Sequence, residues 1–271
     1  MVAMTGRGRE HPYFALPTPW LIAHRGGSLE APENTLVAFE HAAALGADVI
    51  ETDVHLSADG EVMVFHDDDT RRLTGVPGTV EARTKEELAT LDAAFGFTPN
   101  GQDFPWRGKG VRIPTLVEVL ARFPRMRFNI EAKGDEAPLA EALAQVLEAA
   151  GREQTVCVGA AHRVQARRLK DRLPRYARFL PTVAAFPHFL AGWRLLPRGW
   201  PSGDYDLAAV PIRQWGVGVI SKCVVDHFHA RGMPIQVWTV DEERDMRLLL
   251  RRGVDGIMSD RPTLLKKVMG R

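Results

Sequence analysis

The chain has 271 residues, 45% of them hydrophobic and 25% charged, with a formal net charge of +1. That length suits one large α/β domain, and the composition is that of an ordinary globular chain with a substantial core. Near-neutral charge excludes a basic nucleic-acid footprint over the whole surface, although a small anionic substrate needs only a local positive cluster. The two cysteines, Cys157 and Cys223, form no CxxC motif. This argues against a disulfide framework or structural zinc and for a reducing compartment. The first twenty residues hold no continuous apolar run, and no stretch approaches a membrane span, so the expectation is a cytoplasmic protein.

In chain order, Trp20 to Ala23 reads as a buried strand. Asn34 to Leu45 has helical spacing, with Asn34 as N-cap and Gly46 as its end. Val49 to Leu56 is the next strand, Ala58-Asp59-Gly60 a turn, and Glu61 to Phe65 a further strand. Residues 67–112 break the rhythm with Gly, Pro, Asp and Arg, and read as an insertion with one short helix at Lys85 to Leu91. Alternation then resumes through helices at Thr115 to Arg122, Leu139 to Ala150, Val164 to Arg172, Lys222 to Ala230 and Glu242 to Arg251. The intervening strands are Met126 to Glu131, Thr155 to Gly159, Tyr176 to Leu180, Leu207 to Val210, Ile235 to Val240 and Gly256 to Ser259. Eight strand-then-helix steps imply a parallel sheet. No GxGxxG follows the first strand, which weakens a dinucleotide-binding reading.

The polar residues of interest fall at the ends of these strands: His24 and Arg25, Glu51 and Asp53, His66, Glu131 and Lys133, and Trp238. Residues two apart on a strand share a face, so Glu51 lies beside Asp53 and Glu131 beside Lys133. Adjacent carboxylates repel and are costly to bury without a counter-charge. With Glu131 they form a hard oxygen set suited to Mg²⁺ or Ca²⁺ rather than zinc. Arg25 and Lys133 supply positive charge for a phosphate. His24 and His66 are two imidazoles able to exchange protons near neutral pH.

The run HRGGSLEAPENTLVAFEHAAALGADVIETDVHLSADGEVMVFHDD resembles the N-terminal signature of glycerophosphodiester phosphodiesterases. NIEAK, VWTVD and GVDGIMSDRP follow in the family's order, so the resemblance runs from about residue 20 to the C-terminus. It implies a TIM (β/α)8 barrel over 1–271, with an insertion after the HD element. It implies metal ligands at Glu51, Asp53 and Glu131, acid–base histidines at His24 and His66, and phosphate contacts from Arg25 and Lys133. The implied reaction is cleavage of a glycerophosphodiester to glycerol 3-phosphate and an alcohol. A lysophospholipase D using the same site, and a non-catalytic phosphodiester-binding protein, are the alternatives.

His41, His55, His162, His227 and His229 read as surface or packing residues, and the basic stretch from His162 to Arg178 as a solvated helix face. Phe186 to Leu196 reads either as a helix packed on the sheet or as an apolar wall for an acyl chain, with Phe189 and Trp193 the residues that would line it. Peripheral membrane contact and the oligomeric state stay open.

Overall fold

A computed structural model describes residues 10–160, 162–196, 205–214 and 216–271. The first nine residues of the segment lacking an apolar run lie outside these. Among the described residues there are eleven strands: β1 (Trp20–Ala23), β2 (Val49–Leu56), β3 (Val62–Val64), β4 (Arg127–Ala132), β5 (Val156–Ala160), β6 (Ala177–Leu180), β7 (Leu207–Pro211), β8 (Arg213–Gln214), β9 (Val217–Gly218), β10 (Ile235–Trp238) and β11 (Gly256–Ser259). The helices are α1 (Leu36–Leu45), α2 (Arg71–Thr74), α3 (Lys85–Ala89), α4 (Leu116–Arg122), α5 (Ala137–Ala149), α6 (Arg163–Arg172), α7 (Thr182–Gly192), α8 (Lys222–His229), α9 (Glu243–Arg252) and α10 (Pro262–Met269).

Eight strands close into a parallel barrel in the order β1, β2, β4, β5, β6, β7, β10, β11. The first and last strands pair directly, Trp20 with Gly256 and Ala23 with Ser259, while Ile22 opposite Val49 completes the ring. This is the TIM-barrel architecture, with β strands each feeding an outer helix. Inside the barrel pack Trp20, Ile22, Val49, Cys157, Ala177, Phe179, Leu207, Ala209 and Met258. Tyr13 and Phe14, from the turn Pro12–Phe14, join this cluster. A larger apolar cluster lies between strands and helices, where the inner faces of α5 and α8 contribute Leu139, Leu143, Val224 and Phe228.

The strand expected at Glu61 to Phe65 is β3, but it is not a barrel stave. It pairs antiparallel with β2, Val54 opposite Val64, as the return arm of a hairpin. The Phe65 N–H then reaches the Asp53 carbonyl at 3.0 Å, which carries His66 back to the level of the β2 carboxylates. Residues beyond it form their own apolar cluster, with Phe65, Leu73, Val80, Leu88 and Ile113 around Met63. The short helix expected at Lys85 is α3, started by a capping box between Thr84 and Glu87.

The expected cap of α1 needs correction. Thr35 is the N-cap, its hydroxyl accepting from the Ala38 N–H at 3.2 Å. Asn34 is buried at φ +56° and its side chain turns toward β2 instead. In the basic stretch Arg172 meets Glu141 and Arg175 meets Glu153, both at the solvent-exposed surface. Among the described residues no helix is long and apolar enough to cross a membrane.

Between β1 and α1 the chain must reverse tightly, and His24-Arg25-Gly26-Gly27 does this with Arg25, Gly26 and Gly27 all at positive φ. A Cβ on Gly26 (φ +85°) would lie 2.7 Å from the Ala38 Cβ. Gly26→Ala therefore combines left-handed strain with a backbone-level clash, and should cost at least about 1–2 kcal/mol. Urea denaturation checks this; an unchanged midpoint would mean that α1 shifts freely against the turn.

Candidate active site

All the singled-out residues converge at the C-terminal mouth of the barrel. A cavity of about 420 Å³ is lined by His24, Arg25, Glu51, His66, Glu131, Lys133 and Trp238. Asp53, 1% exposed, is buried beside them. The β2–β4 register sets Asp53 directly opposite Glu131 and Glu51 opposite Asn129. One oxygen from each of Glu51, Asp53 and Glu131 lies within 4.8 Å of the others.

These charges are balanced by two cations. Lys133 Nζ stands 2.9 Å from Asp53 and 2.6 Å from Glu131. Arg25 donates to Glu33 at 2.9 Å, its Nε lies 3.5 Å from Asp53, and its backbone N–H donates to Glu51 at 3.1 Å. Burial works against the charged form of Asp53, yet Lys133, His66 and Arg25 outweigh it and hold the carboxyl down at about 2. Glu51 goes the other way, because burial and the Asp53 charge both push its pKa up. A hard divalent cation fits this donor set: three carboxylate oxygens converge, and one of them is reluctant to ionise alone.

Each histidine is oriented by a carboxylate. His24 Nδ1 lies 2.6 Å from Asp260, and its Nε2 lies 3.8 Å from Glu51. Burial alone would lower the pKa of His24, but Glu51 and Asp260 raise it above the ordinary value. His66 Nδ1 lies 2.7 Å from Asp67. In both rings the Nδ1 contact leaves Nε2 for the cavity side.

Several supporting residues escaped the sequence reading. Glu33 is 7% exposed and binds both Arg25 and Arg72. Arg72, on α2, grips Glu33 with two nitrogens and Asp67 with Nε at 2.6 Å and Nη2 at 3.0 Å. Asn34 donates to Asp53 at 3.0 Å and accepts from the Thr52 hydroxyl at 2.7 Å. His55, read as packing, holds the His66 carbonyl with Nε2 at 3.2 Å and meets Glu81 with Nδ1. Asp67 and Asp260 sit inside the HDD and SDRP runs, where adjacency to a proposed catalytic residue was the available signal; Arg72 had none, since only the folded insertion brings it near.

Part of the wall is apolar, formed by Phe179, Leu180, Pro181, Ala209 and Met258, while Asn129, Gln236 and Thr239 also line the cavity. Phe189 and Trp193 are not part of it. Phe189 is 1% exposed within the core, and both residues line a separate cleft of about 130 Å³ with Phe186, Val217 and Val219. The helix-packing reading of this segment therefore holds over the acyl-wall reading, up to residue 196.

The profile of the glycerophosphoryl diester phosphodiesterase family matches residues 24–264. The chain belongs to this family. Such membership makes it a phosphoric diester hydrolase. It is 33% identical to a probable glycerophosphodiester phosphodiesterase 2 of Mycobacterium tuberculosis, covering 92% of this chain and 89% of that protein. It is 28% identical to the mouse lysophospholipase D GDPD1, over 90% of this chain and 84% of the relative. A phosphodiesterase of Oleispira antarctica, solved with its product sn-glycerol-3-phosphate, superposes with a TM-score of 0.74 at 26% identity, covering 94% and 98% of the two chains.

The electrostatics of Glu51 and Asp53 give a measurable consequence without turnover. Glu51 is raised in the fold, so the stability it contributes is present at low pH and lost as pH climbs above the ordinary carboxylate range. Asp53 is held low, so its contribution stays constant over that window. Chelator-treated protein should lose thermal stability between about pH 5 and about pH 8. Added Mg²⁺ or Ca²⁺ should raise Tm, most at the upper end. A metal-independent Tm across this range, read by differential scanning fluorimetry, would remove the cation from the site.

Proposed function

We propose that the chain hydrolyses glycerophosphodiesters to glycerol 3-phosphate and an alcohol, with His24 and His66 as the acid–base pair. The observation that carries this reading is the convergence of both imidazoles, each braced at Nδ1 by a carboxylate, on the cavity that also holds Arg25, Lys133 and the three-carboxylate cluster. A divalent cation, Mg²⁺ or Ca²⁺, held by Glu51, Asp53 and Glu131 would supply Lewis-acid polarisation of the phosphoryl oxygens. Arg25 and Lys133 neutralise the phosphate and orient it, Arg25 through a planar fork and Lys133 as a point charge.

In the first step the vicinal glycerol oxygen forms a bond to phosphorus while the bond to the alcohol oxygen breaks. One histidine takes the hydroxyl proton, and the other gives a proton to the departing alcohol. Water then opens the resulting cyclic phosphate with the two histidines in exchanged roles. Trp238 walls the cavity on the β10 side, next to the substrate. The same proposal treats 1–271 as one domain with 67–112 as an insertion; the direct pairing of β1 with β11 supports it by tying the two ends of the barrel sequence together.

Lysophospholipase D activity is the second reading, supported by the similarity to the mouse enzyme and by the apolar part of the cavity wall.

Glycerol 3-phosphate release from glycerophosphocholine, followed with metal and with chelator, tests the proposal. Wild type should be active only with metal. His24→Ala and His66→Ala should each lower kcat by about 10²–10⁴-fold with a smaller change in KM. Turnover that survives either substitution would dismiss that histidine from the chemistry, and metal-dependent cleavage of lysophosphatidylcholine alone would favour the second reading.

A further inference from the structure

The floor of the cavity presents an amide donor that has no acceptor among the described residues. Asn129 on β4 and Gln236 on β10 both face the barrel interior, each 1% exposed, and both line the cavity. From below, the Tyr13 hydroxyl donates to Asn129 Oδ1 at 2.5 Å, and Asn129 Nδ2 donates to Gln236 Oε1 at 3.0 Å. The direction of this relay is set by Tyr13. A phenolic hydroxyl carries one hydrogen, and Asn129 is its one hydrogen-bond partner among the described residues. Turning the Asn129 amide over would strand that buried hydrogen, at about 1–3 kcal/mol. The relay therefore ends with Gln236 Nε2 as a donor, and that atom is buried with no partner among the described residues. At the same register the flanking strands offer only Ala209 and Gly256, neither with a side-chain acceptor.

Gln236 lies two residues before Trp238, and Asn129 two before Glu131. Each is thus on the same strand face, one step of about 6.6 Å deeper than the residues around the phosphate position. Below this layer Tyr13, Phe14 and Trp20 close the barrel. A substrate with its phosphate at Arg25 and Lys133 can send only a short arm toward the floor, and a large alcohol must leave by the mouth. The glycerol arm is short and ends in an oxygen that can accept.

We propose that Gln236 is a specificity-determining residue whose Nε2 donates to the terminal glycerol oxygen of the substrate, so that the site selects glycerophosphodiesters with an unacylated terminal hydroxyl. An acyl chain on that oxygen would run into the Tyr13–Phe14 plug. Tyr13 is a positioning residue in this scheme, acting through the two amides. The inference rests on the glycerophosphodiesterase reading above and adds which part of the substrate enters first.

The test compares glycerophosphocholine with its analogue in which a methyl group replaces the terminal CH2OH, leaving the vicinal hydroxyl in place. Wild type should prefer the parent substrate by about tenfold or more in kcat/KM. Gln236→Met should lower kcat/KM for glycerophosphocholine by about tenfold, mainly through KM, and bring the ratio between the two substrates close to one. Gln236→Leu removes both polar groups of the amide and offers the terminal oxygen neither donor nor acceptor, so it should erase the preference even if the methionine variant folds poorly. Tyr13→Phe should weaken the preference in part, because Asn129 is then free to turn. Calorimetric binding of sn-glycerol 3-phosphate should weaken in the same order. A preserved substrate ratio in both Gln236 variants would overturn the inference alone. A wild type that cleaves neither substrate would overturn the glycerophosphodiesterase reading, and the inference with it.

Discussion

Two carboxylates side by side on one buried strand are the constraint around which this molecule is arranged. Glu51 and Asp53 cannot both ionise in the barrel mouth without compensation, and the surroundings supply it from every direction. Lys133 comes from β4 through its register with β2, Arg25 from the left-handed turn after β1, and an amide from Asn34 at the start of α1. The same demand explains why Asn34 gives up the helix cap to Thr35. Its buried amide is worth more against Asp53 than against a helix terminus that a threonine serves equally well.

The histidines depend on this arrangement in different ways. His24 follows a barrel strand directly and touches the cluster through Glu51. His66 arrives by a hairpin that folds back outside the barrel, and His55 and Asp67 fix it there. One imidazole is thus carried by the rigid ring of strands and the other by an appended arm. The arm's own apolar cluster under residues 65–113 is what keeps it in place.

Much of this was legible in the sequence, for physical reasons. The i, i+2 spacing of Glu51 and Asp53, and of Glu131 and Lys133, fixes a shared face once the segments are strands, and both are strands. Helix boundaries fell within a residue or two where caps were evident, as at Thr115 and Gly46. What the sequence hid are relations between distant segments. β3 has the composition of any short strand, and only pairing shows that it runs antiparallel outside the ring. Tyr13 lies in an unremarkable proline-rich approach, and nothing local shows its hydroxyl reaching Asn129, 116 residues away. Phe189 could be read either as helix packing or as a wall because its segment is broken by Pro187, and the helix α7 continues through that proline and buries it.

The clasp made by Arg72 bears on how such a barrel could be re-engineered. Its guanidinium joins Glu33, which braces Arg25, to Asp67, which braces His66. The segment after β3 is therefore not a free cargo site where one loop can be traded for another of equal length. A graft would have to return a planar cation to that one point, or Arg25 and His66 would lose their bearings together. Loop exchange in this scaffold is a transplant of one side chain first and of a backbone second.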